Sequence, residues 1–118
     1  MPRKPQQLKA TVTVDPFIGE GGIHLYLLKI QTDAYEINMR VKPDDVVKFD
    51  SVRSAPWAKG SVRIGESAGS HVFWCVGDEG DNSVSVLIGD DDEGWDVAVS
   101  LPPGIIDVIR REIAGCHL

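Results

Sequence analysis

Residues 83–101, SVSVLIGDDDEGWDVAVSL, contain two short apolar segments joined by an acidic loop that has a glycine at each end. In both segments every second residue is apolar. The apolar positions are Val84, Val86 and Ile88 in the first, and Trp95, Val97, Val99 and Leu101 in the second. Because side chains alternate between the two faces of a strand, this pattern predicts two strands that each bury one face. The short loop makes them a hairpin, with Trp95 facing the core.

The same period of two recurs along the chain, which predicts a meander of neighbouring antiparallel strands. Further strands are predicted at residues 8–14, 23–30, 35–42, 61–64 and 72–76. Segment 23–30 is apolar on both faces, so we expect a central strand or one covered on both sides. Trp74 alternates with Val72 and Val76 and is expected in the core. Residues 65–71, GESAGSH, are expected to form a flexible loop.

The C-terminal segment changes to a helical period. Its isoleucines recur at helical spacing, which predicts a helix over residues 103–114 with Gly115 as its C-terminal cap. The fold class is therefore α+β: a mostly antiparallel sheet of six or seven strands with this helix packed on one face. A half-closed barrel is the alternative if strand 23–30 is central.

Residues 43–60 are harder to assign. PDDVVKFDSV is compatible with a short helix capped by Asp44 or with a strand, and we favour a helical or irregular segment. Residues 54–60 are expected to form a loop, in which Trp57 is the tryptophan most exposed to solvent.

The chain has 118 residues, 42% of them hydrophobic and 25% charged, which suits one globular domain. We expect a basic tail at residues 1–7 and a domain at 8–118. No apolar run approaches the roughly 18 residues that a membrane helix needs, and the N-terminus does not resemble a signal peptide. With only two cysteines, Cys75 and Cys116, we expect reduced thiols and a cytosolic location.

Charge is distributed unevenly along the chain, whose net charge is −6. Residues 1–63 hold ten Lys/Arg and seven Asp/Glu, whereas residues 64–118 hold two Lys/Arg and eleven Asp/Glu. Residues 64–109 contain no basic residue at all. A surface built from this span would repel phosphates, so it disfavours nucleic acid and favours a basic protein partner.

Metal binding and catalysis find little support in the sequence. The four consecutive acids from Asp90 to Glu93 lack the alternating spacing of an EF-hand loop. The other acidic loop, 77–82, would lie about 20 Å away at the opposite end of a meander. His71 and Cys75 are four residues apart on one strand, too far to share a zinc ion. No nucleophile or phosphate-binding motif is present, so we expect no metal, no cofactor and no catalytic residues.

The leading hypothesis is a non-enzymatic protein that docks on a basic partner, in the manner of an immunity or antitoxin-type inhibitor. The predicted partner-binding residues are Asp78, Glu79, Asp81, Asp90, Asp91, Asp92, Glu93 and Trp57. The alternative is a small-ligand or enzymatic pocket between sheet and helix that uses His24, His71 and Cys75, in one version with Cys75 and His24 paired across adjacent strands. A third hypothesis is a structural subunit or homodimer that associates through a sheet edge or the second face of strands 23–30 and 72–76. The oligomeric state is left open between monomer and homodimer. We expect neither a membrane nor a nucleic acid as a partner.

Overall fold

One antiparallel sheet carries most of the chain. The computed structural model describes residues 10–56, 60–77 and 83–116. Seven strands lie side by side in chain order, each antiparallel to the next. They are β1 (Thr11–Ile18), β2 (His24–Gln31), β3 (Glu36–Val41), β4 (Val62–Ser67), β5 (Ser70–Val76), β6 (Val84–Gly89) and β7 (Trp95–Leu101). The predicted α+β class is confirmed, because the C-terminal helix is present as well.

The C-terminal helix is α2 (Ile105–Ala114), and it closes the core on one face of the sheet. Its apolar stripe is buried against β1 and against a short helix, α1 (Phe49–Val52). Four isoleucines form that stripe: Ile105, Ile106, Ile109 and Ile113. Gly115 ends the helix as predicted, with its N–H donating to the carbonyl oxygen of Arg111. Within the described ranges, no helix has the length and apolar character needed to cross a bilayer.

The segment between β3 and β4 is helical, as we favoured. A 3-10 helix at Pro43–Lys48 leads directly into α1. Asp44 does not cap it, so that part of the prediction is wrong: the N-cap position belongs to Lys42, and no side chain caps this end. Pro43 supplies the start instead, because its ring already holds a helical φ and it has no N–H to satisfy.

Trp74 joins the sheet to α1 at the centre of the core. The side chain is fully buried, and its indole Nε1 donates a hydrogen bond of 3.0 Å to the carbonyl oxygen of Ile64 on β4. The ring of Phe49 meets it edge-on, with the ring centroids 5.1 Å apart. A buried indole needs such an acceptor, since an unsatisfied N–H costs about 1–3 kcal/mol.

The β1–β2 hairpin differs from the prediction in length and in burial. β1 runs on through Pro16 to Ile18, which an edge strand tolerates because the N–H that proline lacks is not needed there. β2 is not covered on both sides. On its outer face Leu27 is 36% exposed, and Ile23 just before the strand is 60% exposed. The helices cover only the inner face, so the second apolar face of this segment is left to solvent.

The loop predicted at residues 65–71 is instead a tight hairpin turn. β4 continues to Ser67 and β5 starts at Ser70, so only two residues connect them. Both have positive φ, 50° for Ala68 and 84° for Gly69. Such a turn matches the natural twist of antiparallel strands and extends both strands toward it.

The sheet curves strongly across its seven strands. The hydroxyl of Tyr35, just before β3, donates a hydrogen bond of 3.0 Å to the carbonyl oxygen of Ser100 on β7. Four strand-to-strand steps separate β3 from β7 within the sheet. The curvature therefore brings β7 back toward the β2–β3 turn. No backbone pairing joins β1 to β7 in the described part of the chain, which leaves an edge on each strand.

Candidate partner-binding surface

The acidic loop between β6 and β7 folds back over the outer face of the sheet. Gly89 is the last residue of β6, and a Cβ placed on it would lie 2.5 Å from the Cα of Trp95 and 2.7 Å from the carbonyl oxygen of Gly94. Only glycine permits that approach. The loop then reaches the residue before β4, Ser61, whose hydroxyl donates a 2.8 Å hydrogen bond to the carboxylate of Asp92.

Two of the four consecutive acids hold the loop in shape. The carboxylate of Asp91 accepts the backbone N–H of Glu93 at 2.9 Å and also that of Gly94. Asp92 is half-buried and accepts from Ser61. The two bonds to Asp91 are local turn chemistry, in which a carboxylate replaces a backbone acceptor, whereas the bond to Asp92 ties the loop to a distant segment. Asp91 and Asp92 therefore have structural roles that the prediction of a binding role did not include.

The remaining acids point to solvent. Asp90, Glu93 and Asp96 are exposed, and their side chains form no ion pair or hydrogen bond with residues of the described ranges. We call these three residues the acidic patch. Asp96 was not among the predicted partner-binding residues, although its alternation with Trp95 and Val97 already placed it on the solvent side of β7.

Trp95 and Val97 are exposed, so their predicted core location is wrong. Trp95 lies beside the acidic patch, whereas Val97 is on the opposite, inner face of β7. Trp95 is 44% exposed and Val97 46% exposed. The pairing of β6 with β7 is irregular between Ile88 and Gly89, where Trp95 stands opposite Gly89. This bulge turns the start of β7 away from the regular pleat. Period two alone does not reveal a bulge, and it does not show that α2 packs elsewhere, on β1 and α1.

Several charges elsewhere in the molecule are paired. Lys29 pairs with Glu36, Lys48 with Asp45, and Arg53 with Asp107. Arg110 contacts Asp50 at 3.4 Å. Arg63 lies on the outer face of β4. One strand, β5, stands between β4 and β6, so Arg63 is about 10 Å from β6 across the sheet. It forms no ion pair with the acidic patch, and no other cation of the described ranges does so.

Four of the predicted partner-binding residues lie outside the described residues. They are Trp57, Asp78, Glu79 and Asp81. Their predicted roles stay predictions. The basic tail proposed at residues 1–7 is outside the described residues as well.

The residues of the alternative pocket are not brought together. His24 is exposed on β2, whereas Cys75 is 1% exposed on β5, and two strands separate β2 from β5. The idea that Cys75 and His24 pair across adjacent strands is therefore wrong. His71 Nδ1 lies 3.9 Å from the carboxylate of Glu66, which is too long for a hydrogen bond. Within the described ranges no three His, Cys, Asp or Glu side chains are placed to hold a metal ion, and neither cysteine forms a disulfide.

One perturbed acid lies close to β7. Partial burial raises the pKa of Tyr35 above its ordinary value of 10.0, because removal from water disfavours the phenolate. The neutral hydroxyl is the form that donates to the carbonyl of Ser100. The role of Tyr35 at the edge of β7 has no signal in the sequence, since it depends on the curvature of the whole sheet.

Comparison of the chain with protein families, curated proteins and solved structures found no match.

Proposed function

We propose that this protein binds a basic protein partner through the acidic patch and the neighbouring Trp95. The observation that carries the proposal is the juxtaposition of three exposed carboxylates, none of them paired within the described ranges, with the exposed indole of Trp95. Interfaces of this composition combine an aromatic anchor with charges that steer association. Nucleic acid is not the proposed partner, because the patch would repel phosphates.

The concrete form that we propose is an inhibitor of the immunity or antitoxin type, acting in the cytosol. Enzymes that act on nucleic acids present cationic active sites, and a small acidic protein can cover such a site. The charge supports this proposal: the residues from 64 to 109 include ten acids and no Lys or Arg. Complementary charge speeds encounter by 10- to about 1,000-fold at low salt, which suits an inhibitor that must capture its target quickly.

The test is a matched pair of charge-neutralised variants. The patch variant carries Asp90→Asn, Glu93→Gln and Asp96→Asn. The control variant carries Asp15→Asn, Glu20→Gln and Asp33→Asn, three exposed acids on other parts of the surface. Both variants change the net charge equally, and both leave Asp91 and Asp92 in their structural roles.

Each protein is immobilised and exposed to lysate of the native host, and the association rate of each retained protein is then measured in purified form. We expect a basic protein that the wild type and the control variant retain and the patch variant loses. Its association rate with the wild type should fall at least about tenfold between about 0.1 M and about 1 M salt. If the patch variant associates as fast as the control variant, the proposal is wrong.

A further inference from the structure

The free edge of β7 is the second feature of this surface. β7 is the last strand of the sheet, and among the described residues it pairs only with β6. Edge strands are usually shielded, because an open row of N–H and C=O groups pairs readily with another chain. In the part of the chain that the structure describes, the one side chain bonded to this edge is Tyr35, whose hydroxyl donates to the carbonyl of Ser100 near the C-terminal end of β7.

The register shows which backbone groups remain open. The Ser100 carbonyl accepts from Tyr35, which lies beyond the sheet edge, so the backbone polar groups of Ser100 point away from β6. Residues two apart on a strand point the same way, and the pairing is regular from Leu101 back to Val97. The N–H and C=O of Ala98 therefore also point outward, and Ala98 is exposed.

The two faces beside this edge differ in chemistry. Val97 and Val99 pair with Ile88 and Val86 on the inner, apolar face. Ala98 and Asp96 lie on the outer face, the side over which the acidic loop folds. A strand added at this edge would alternate between the two environments. Its inner residues would meet valine, and its outer residues would meet carboxylates.

We propose that the partner adds an extended segment to the edge of β7, with apolar residues alternating with Lys or Arg. The proposal rests on the proposed function, because it specifies how the basic partner is held. Backbone hydrogen bonds to Ala98 supply the pairing, and the charge of the acidic patch selects a basic segment. A second copy of this chain is disfavoured as the occupant, because its own patch is acidic.

The probe is a synthetic peptide of about eight residues that alternates lysine and valine, enough to span the open part of the strand. Its control has the same sequence with N-methyl groups on alternate backbone nitrogens, which removes donors without changing charge. Binding to the whole protein is followed by calorimetry. We expect the plain peptide to bind and the methylated peptide to bind at least about tenfold more weakly.

A pair of protein variants tests the same contact from the other side. Ala98→Pro removes the outward N–H and leaves the bonds between β6 and β7 in place. Ala98→Val keeps the N–H and suits a strand. We expect Ala98→Pro to weaken peptide binding roughly three- to tenfold and Ala98→Val to leave it unchanged. Circular dichroism establishes that both variants are folded.

The outcomes separate the two proposals. If the plain peptide binds, loses affinity in the patch variant, and is indifferent to N-methylation and to Ala98→Pro, strand addition is overturned and charge-driven docking stands. Failure of the plain peptide to bind also overturns strand addition, and the proposed function is then judged by its association rates alone. Dimers in light scattering that Ala98→Pro converts to monomers would show that a second copy occupies the edge, which overturns the basic partner there.

Discussion

At the scale of single residues, Gly89 determines the backbone path of the acidic loop. A side chain at this position would overlap the backbone of Trp95, at 2.5 Å from its Cα. Backbone cannot move aside as the end of a flexible side chain can. The loop could then no longer fold back over the sheet, and the hydrogen bond from Ser61 to Asp92 would be lost with it.

We predict that Gly89→Ala lowers the free energy of unfolding by about 1–3 kcal/mol, the usual cost of forcing extra atoms into a packed site. The control is Gly115→Ala, where the added Cβ would meet its nearest neighbour at an ordinary 3.7 Å. That variant should stay within about 0.5 kcal/mol of the wild type. Urea unfolding measures both, and equal stability of the two variants would contradict the contact at Gly89.

At the scale of elements, α2 stabilises the fold through its buried isoleucine stripe. Full burial of one such side chain contributes about 1.5–3 kcal/mol relative to exposure. Ile109 lies at the centre of the stripe and is fully buried. Arg111, two residues later, is exposed on the same helix.

We predict that Ile109→Ala costs about 2–5 kcal/mol of stability, because the lost contacts leave a cavity between helix and sheet. Arg111→Ala should change stability by about 0.5 kcal/mol or less. Chemical denaturation followed by circular dichroism compares them. A small effect of Ile109→Ala would mean that α2 does not pack on the sheet as described.

At the scale of the whole molecule, the hydrogen bond from Tyr35 to Ser100 joins two parts of the sheet that are four strand-to-strand steps apart. It connects the β2–β3 turn to β7. The bond requires the neutral phenol. Its contribution to stability therefore depends on the protonation of Tyr35, whose pKa is raised by burial.

We predict that stability falls as pH rises through and above the ordinary tyrosine pKa of 10.0. Because the pKa is higher in the folded state, the folded protein holds a proton that the unfolded chain has lost, so rising pH favours unfolding. The contribution is fully present below pH 10.0. Urea unfolding across this range should show a smaller decline for Tyr35→Phe than for the wild type.

Tyr26→Phe is the matched control for that experiment, because it removes a phenol from β2 and keeps the phenol of Tyr35. The alkaline decline should persist in this variant. A decline that is the same in Tyr35→Phe and in the wild type would argue against the bond across the sheet.

The sequence alone determined the elements whose signal is local. Alternation in residues 83–101 defined β6 and β7, and isoleucine spacing defined α2 together with its cap at Gly115. Trp74 was placed correctly in the core on its spacing with Val72, although Cys75 on the other face of β5 is buried as well. In these cases the period of the apolar pattern matches the period of the element, so the pattern identifies the face that packs into the main core.

Only the tertiary structure decided which apolar faces are covered. β2 and the start of β7 carry apolar residues that remain exposed, because the helices cover one face of a curved sheet and a bulge turns Trp95 outward. The division of the acidic run was decided in the same way. Asp91 and Asp92 hold the loop, which depends on its contacts with Ser61 and with the backbone of residues 93 and 94. The period of the apolar pattern and the distribution of charge are visible along the chain. Which faces of the sheet are covered, and how the sheet curves, is decided only when distant segments pack together.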